Sequence, residues 1–266
     1  MSTQVQLVFV LTFIIHLVST LSYAVRIAGV RTGRIAVSFA IFNILVLVSR
    51  TSNTFQGPLL AKHVEQNILR GAFSGVEADF RWLLVASTLA SFVGLLLIPT
   101  FQRLFARAIE TLSTYRSVPR LLFRALSRSG FQQIRDAASM PALENLTRLT
   151  LRQAPRSILI SNALATALLT VGVFASLYAG YLRPDLRVTA NNLSPVINAL
   201  STILLFMFID PYLSLLTDDV AAGKATEAYF RRCIVLFVIS RLAGTIIAQL
   251  VFIPAARLIA VIAELI

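Results

Sequence analysis

The chain has 266 residues, of which 57% are hydrophobic and only 14% are charged. Soluble domains carry about 25% charged residues, so this composition excludes a soluble domain and indicates a polytopic membrane protein. The net charge of +12 is compatible with nucleic acid, but in so apolar a chain it fits anionic lipids and phosphate head groups better. We therefore expect anionic membrane lipids as partners and no nucleic acid. Oligomeric state is left open, a homo-oligomer being one alternative.

Six apolar segments are expected to span the membrane. In chain order they cover residues 5–24, 35 to about 55, 82–99, 158–182, about 193–216 and 232–253. The fifth is open to a split, because Asp210 and Pro211 add a charge and remove a backbone donor. The predicted fold class is an all-α membrane protein with two three-helix units, 1–99 and 158–266, joined by a basic amphipathic linker, 100–157.

Basic residues in the connecting segments predict the orientation of the chain. Segments 25–34, 100–157 and 217–232 together hold sixteen Lys and Arg residues, and the segments on the opposite side hold seven. Cytoplasmic loops carry the excess of positive charge, so both termini are expected outside a bacterial cytoplasmic membrane. The N-terminus lacks the features of a secretory signal, so the first span is expected to remain.

The linker 100–157 carries apolar residues at helical spacing, beginning with Phe101, Phe105, Ile109 and Leu112. Two interpretations stay open for it. Basic amphipathic helices beside a membrane tend to lie in its interface, and the alternative is a cytoplasmic hairpin packed on itself. A scaffold that recruits cell-wall enzymes through this linker is a further alternative.

The two halves show similarities at a constant offset of 155 residues. Tyr23 is matched by Tyr178, Asn43 by Asn198 and Pro99 by Pro254. Because each half has three spans, the second half would enter the membrane in the opposite direction. The pattern therefore predicts an inverted repeat, an arrangement that many secondary transporters use.

Catalytic and metal-binding motifs are missing from the sequence. It has no G-x-x-x-x-G-K-S/T loop, no G-x-S-x-G elbow and no H-E-x-x-H pair, and its single cysteine cannot form a zinc site. We therefore expect no enzyme, no catalytic residue, no metal and no cofactor. The alternative is a membrane enzyme acting on polyprenyl phosphates, for which the candidates are Asp218, Asp219 and Glu227.

Polar residues inside the spans suggest a different kind of site. Interhelical hydrogen bonds are expected for three of them, His16, Asn43 and Asn198. For His16 and Asn198 the alternative is a role in coupling transport to an energy source. Arg241 is more informative, because an arginine near mid-span costs about 3 kcal/mol on insertion scales. It should face a partner, an anionic ligand or water, and Asp210 is a candidate partner.

The second span raises the same question at Arg50 and Asn53. Its apolar run, from Ile35 to Val48, has 14 residues, and about 20 are needed to cross a bilayer. Arg50 therefore either lies inside the membrane in a functional role or reaches the interface from a helix end.

Five arginines at successive depths suit the passage of a diphosphate, which arginine binds with two parallel hydrogen bonds. We place three at the inner mouth, one near the middle and one toward the outer side: Arg26, Arg31, Arg34, Arg241 and Arg50. With Asn43 and Asn53 they form the predicted substrate-binding set. The positive-inside rule by itself also predicts the three arginines at the inner mouth. Gly29 and Gly33 would let a phosphate approach the backbone beside the start of the second span.

The stretch from residue 15 to 56 resembles the Amj family of bacterial lipid II flippases. The residues that carry the resemblance are His16, Tyr23, Arg26, Arg31, Arg34, Asn43, Arg50 and Asn53, within RIAGVRTGRIA and SRTSN. The resemblance implies transport of lipid II, the undecaprenyl-diphosphate-linked peptidoglycan precursor, from the inner to the outer leaflet. Another undecaprenyl-linked glycan is an alternative substrate.

Overall fold

The computed structural model describes residues 3–71, 75–117 and 155–266, together with 123, 127, 132 and 135–138. Six helical segments within these ranges are long and apolar enough to cross a membrane, so the predicted all-α fold with six spans is confirmed. The α-helices, numbered in chain order, are α1 (Thr3–Thr32), α2 (Ile35–Leu69), α3 (Val76–Tyr115), α4 (Arg156–Leu182), α5 (Arg187–Asn192), α6 (Ser194–Leu204), α7 (Asp210–Ala221) and α8 (Glu227–Leu265).

Three helices extend well beyond the apolar runs that predicted them. α2 has 35 residues, α3 has 40 and α8 has 39. The sequence suggests that Pro99 and Pro254 end spans, but both lie inside helices that continue to Tyr115 and Leu265. The extension of α3 is held by packing, because Ile109 is buried against α1 and α2.

The fifth span is built from short pieces. It passes through a 3-10 turn (Pro184–Leu186), α5, α6 and a π-helical turn (Leu205–Ile209) before it enters α7. The helix therefore changes geometry directly before Asp210, where the sequence indicates a split. Pro211 follows Asp210 after the π-helical turn and has no N–H to donate to a carbonyl of that turn.

Two groups of buried side chains show the direction of each helix. We call one group the first end of the bundle. The starts of α1 and α3 and the ends of α2, α4 and α8 meet there. Its buried side chains include Val5, Val64, Phe80, Phe174, Tyr178 and Phe252. The second end holds the end of α1, the starts of α4 and α8, and α7, with Ala24, Ile98, Leu159, Leu213 and Phe230.

It follows that α4 runs opposite to α1, and α8 runs opposite to α3. An inverted repeat requires this reversal, although the repeat itself stays a prediction. Within each half, the first helix packs against the third, α1 against α3 and α4 against α8.

Glycines allow the closest helix crossings. A Cβ at Gly94 of α3 would lie 2.7 Å from Thr20 Cγ2 of α1. A Cβ at Gly244 of α8 would lie 2.4 Å from the carbonyl oxygen of Ala163 in α4. Small residues at such crossings are typical of membrane helix bundles, where close backbone approach replaces a hydrophobic driving force.

The linker 100–157 begins as a continuation of α3 up to Tyr115. The apolar face of this part packs at the second end, where Ile109 and Leu112 contact the cluster formed by Val25, Ala28 and Ile41. This part of the linker therefore packs on α1 and α2, and both interpretations of the linker stay predictions. The two interpretations of residues 118–154 concern a segment that lies mostly outside the described residues.

Candidate functional site

Arg26 lies at the meeting point of three helices near the second end. Its Nη2 donates a hydrogen bond of 3.0 Å to Asp210 Oδ1 at the start of α7. Its Cζ lies 5.7 Å from the ring centre of Phe39 and 5.4 Å from that of Phe42, both on α2. Rings at these distances attract a guanidinium, so α2 and α7 together hold the arginine of α1 in position.

The Arg26 guanidinium is only partly satisfied by these contacts. Its side chain is 10% exposed, and its buried Nη1 has no hydrogen-bond partner among the described residues. Asp210, by contrast, is 42% exposed. A buried donor without an acceptor costs free energy, so Nη1 is suited to bind an incoming anion.

Tyr23, one turn before Arg26, connects the two halves of the protein. Its hydroxyl donates to Asn162 Oδ1 of α4 at 3.2 Å. Asn162 Nδ2 in turn donates to Ser240 Oγ at 2.6 Å and to the carbonyl oxygen of Phe237 at 3.0 Å, both on α8. This hydrogen-bond network joins α1, α4 and α8.

Arg241 lies beside this network and is buried, with 8% of its surface exposed. It is within electrostatic reach of Tyr23 and of His16, both on α1. The Nε of Arg241 and the Nδ1 of His16 are buried, and neither has a hydrogen-bond partner among the described residues.

The proposed pairing of Arg241 with Asp210 is wrong, because Asp210 is bound to Arg26 instead. Asp210 and Arg241 are 31 positions apart in the sequence, and this separation does not reveal that Asp210 faces Arg26 of α1. Arg241 is therefore a buried cation without a salt bridge among the residues described.

Arg50 and Asn53 extend the site along α2. Residues of α2 that share the face directed at Arg26 recur at helical spacing: Phe39, Phe42, Val46, Arg50 and Asn53. Arg50 lies about 22 Å along the axis from Ile35, near the middle of α2 rather than at a helix end. Both Arg50 and Asn53 are exposed. Directly before Arg50, the hydroxyl oxygen of Ser49 lies 3.3 Å from that of Ser19 in α1.

The remaining arginines and glycines of the predicted site lie at the turn between α1 and α2. Arg31 and Arg34 are exposed there, and Gly33 adopts a positive φ of 66° that closes the turn. Gly29 does not offer its backbone to a phosphate, because a Cβ at this position would lie 2.3 Å from Ser38 Oγ. Its role is close packing of α1 on α2.

Two asparagines of the predicted site lie away from the polar network. Asn43 is exposed on α2, two turns before Arg50. Asn198 of α6 packs against Gly172 of α4, and its Oδ1 is buried without a partner among the described residues. The interhelical hydrogen bonds that the sequence suggests for both are not found in this part of the chain.

Sequence reasoning missed Asn162, Ser240 and the aromatic pair of Phe39 and Phe42. Asn162 is a polar residue in an apolar span and carries the same signal as Asn198. The two phenylalanines show only an i, i+3 spacing, which apolar helices contain by chance, so nothing local indicates their contact with Arg26.

The candidates for an enzyme do not form a cluster in the described part of the chain. Asp218 and Asp219 are exposed at the end of α7, and Glu227 lies 3.7 Å from Arg231 on its own helix. No group of three or more His, Cys, Asp or Glu side chains among the described residues is arranged to hold a metal ion.

Comparison with known proteins assigns the chain to a family. A family model described as "Amj: Alternate to MurJ" matches residues 11–263. The curated protein "Lipid II flippase Amj" of Bacillus subtilis (strain 168) is 38% identical over 260 residues, which cover 97% of this chain and 96% of that protein. This chain belongs to the Amj family. The match to the family model includes Arg26, Tyr23, Asn162 and Arg241, and no solved structure matches the chain significantly.

Proposed function

We propose that this chain is a lipid II flippase, and thus a transporter that makes and breaks no covalent bond of its substrate. The observation that carries the proposal is the buried Arg241 guanidinium, which faces the junction of the two halves without a carboxylate partner among the described residues. An intramembrane arginine is costly unless it serves an anion or water. A diphosphate head group supplies the anion, and the relative named lipid II flippase supports this substrate.

The path of the head group follows the arginines. Arg31 and Arg34 are exposed at the mouth, Arg26 follows at the second end, and Arg241 lies beside Tyr23. Arg50 and Asn53 continue the polar line on the face of α2 that Arg26 contacts. In this proposal the head group moves between the halves while the polyprenyl tail stays in the lipid.

The flexibility that transport needs is available in the fifth span. Discontinuous helices at the junction of opposed halves are typical of transporters, where they carry substrate or coupling-ion sites. Here the π-helical turn (Leu205–Ile209) lies directly before Asp210, which contacts the arginine of the other half.

The location of the protein is part of the same proposal. It lies in the bacterial cytoplasmic membrane, with both termini outside and the second end facing the cytoplasm. Basic residues exposed at the second end would also bind anionic lipids there.

Transport of labelled lipid II in proteoliposomes tests the proposal. Purified protein should accelerate leaflet exchange relative to protein-free vesicles, and mass spectrometry should recover the lipid unaltered. Exchange at the protein-free rate, with or without an imposed ion gradient, would refute the flippase. A chemically altered lipid would identify an enzyme instead.

Complementation provides the cellular counterpart. A strain that lacks its other lipid II flippase should grow when this chain is expressed. If transport in vesicles is confirmed but growth fails, the substrate in cells is another undecaprenyl-linked glycan.

A further inference from the structure

The arrangement around Arg26 distinguishes its two terminal nitrogens. Nη2 is bound to Asp210, whereas Nη1 is buried and has no hydrogen-bond partner among the described residues. Phe39 and Phe42 keep the guanidinium in place from the side of α2. One half of a two-pronged donor is therefore occupied by a protein carboxylate, and the other half is unused.

Asp210 is the exposed member of the pair. Its side chain is 42% exposed and that of Arg26 is 10% exposed. An entering group therefore reaches the carboxylate before it reaches the guanidinium. A carboxylate and a phosphate offer the same kind of oxygen acceptors to arginine, and both accept two parallel hydrogen bonds.

The position of Asp210 connects the pair to a break in the helix. It is the first residue of α7 and follows the π-helical turn, whose residues Phe206, Met207 and Phe208 are exposed. π-helical turns within α-helices occur frequently at functional sites. Ile209, at the end of this turn, is buried in the cluster of the second end and anchors the turn there, so the turn is the point about which α7 can pivot once Asp210 loses its partner.

We propose that Asp210 is a counter-ion that the phosphate of the head group displaces from Arg26, which releases α7 to move about the π-helical turn. This inference rests on the proposed flippase function. Without substrate, Asp210 closes the contact between α1 and α7 and keeps Arg26 aligned. When a phosphate replaces the carboxylate at Nη2 and also accepts a hydrogen bond from Nη1, the carboxylate turns to water and the contact opens. When the head group leaves, Asp210 returns.

Binding of lipid II by Asp210→Asn tests the displacement. The amide carries no charge and competes less well for the guanidinium, so lipid II should bind about five- to tenfold more tightly than to wild type. Release slows for the same reason, so turnover should fall while affinity rises. Asp218→Asn, an exposed carboxylate on the same helix, is the matched control and should change neither quantity.

The opposite results would overturn the inference. If Asp210→Asn binds lipid II as wild type does, or more weakly, then Asp210 is a structural partner and not a competitor. If wild type itself neither binds nor moves lipid II, the proposed function fails as well. A wild type that transports, combined with an Asp210→Asn variant of unchanged affinity, overturns the displacement alone.

A distance measurement tests the movement without changing the pair. Spin labels at two exposed positions, Ala36→Cys on α2 and Ser214→Cys on α7, measure the separation of α7 from α2, which holds Arg26 through Phe39 and Phe42, in a Cys233→Ala background. Lipid II in nanodiscs should lengthen the distance between the labels, whereas a polyprenyl alcohol without phosphate should not. An unchanged distance at saturating lipid II would overturn the release of α7.

Discussion

The two ends of the helix bundle differ in how their charges are balanced. At the first end, three of the six Lys and Arg residues contact carboxylates, in the pairs Arg81–Glu77, Arg183–Asp185, Arg183–Glu264 and Arg187–Glu65. At the second end, exposed basic residues greatly outnumber exposed carboxylates; they are Arg31, Arg34, Arg103, Arg107, Arg116, Arg156, Lys224, Arg231 and Arg232.

From this difference we expect the anionic substrate of the proposed function to enter at the second end. Paired charges at the first end neutralise one another and give little attraction for a diphosphate. The excess of positive charge at the second end raises the local concentration of anionic groups and continues inward to Arg26 and Arg241.

Contacts between the two halves also differ between the ends. At the first end, Arg81 Nη1 donates to the carbonyl oxygen of Gln249, and Gln249 Nε2 donates to the carbonyl oxygen of Arg81. Toward the second end, the polar contacts include the ion pair between Arg26 and Asp210 and the hydrogen bond from Tyr23 to Asn162. Backbone carbonyls stay in place whatever binds, whereas a carboxylate can be exchanged for a phosphate. We therefore expect opening to begin at the second end.

The largest expected effect is in cysteine labelling, which shows which end of the bundle faces the cytoplasm, because a position is either labelled or not. In a Cys233-free background, a single cysteine at position 2 should react with an impermeant thiol reagent in intact cells. A single cysteine within 128–135 should not react. The reverse pattern would place the cationic end outside and require the arginine path to be redrawn.

The next effect concerns the arginines of the path. An ammonium cannot reproduce the planar, two-pronged guanidinium, so Arg241→Lys and Arg50→Lys should each reduce lipid II transport about ten- to hundredfold. The measurement is leaflet exchange in proteoliposomes at equal protein levels. Arg187→Lys at the first end is the control and should transport normally.

If both lysine variants transport and support growth as wild type does, these arginines are structural. The comparison of the two ends would then concern folding and topology, not the substrate.

A smaller effect is expected for the close helix crossing at Gly244. A Cβ there would meet the carbonyl oxygen of Ala163, so Gly244→Ala should destabilise the protein by about 1–3 kcal/mol. Gly57→Ala, a helical glycine with nothing within 4 Å of its added Cβ, should leave stability equal or slightly higher. Thermal unfolding in detergent measures both, and equal melting temperatures would show that the crossing relaxes.

The smallest effect is expected for a surface ion pair at the first end. Glu65 lies 3.9 Å from Arg187, and both side chains are about half exposed. Glu65→Gln should change the free energy of unfolding by less than about 1 kcal/mol and leave transport unchanged. A marked loss of transport would mean that the first end also binds substrate, and the contrast between the ends would be lost.

Local patterns were sufficient for the six spans, because burial in lipid imposes long apolar segments on the sequence itself. They were also sufficient to single out Arg50 and Arg241, since an arginine within or at the end of an apolar span is visible without knowledge of its neighbours. Helix ends were less accurate, because amphipathic extensions such as that of α3 are stabilised by packing on other helices.

The tertiary structure alone decided which polar groups meet. Arg26 and Asp210 are 184 positions apart, and Tyr23 and Asn162 are 139 apart. Hydropathy and helical spacing report only on neighbours within a few turns, so they cannot choose between Arg26 and Arg241 as the partner of Asp210. That choice depends on the geometry of the broken fifth span, whose π-helical turn places Asp210 beside α1 and leaves Arg241 without a carboxylate among the described residues.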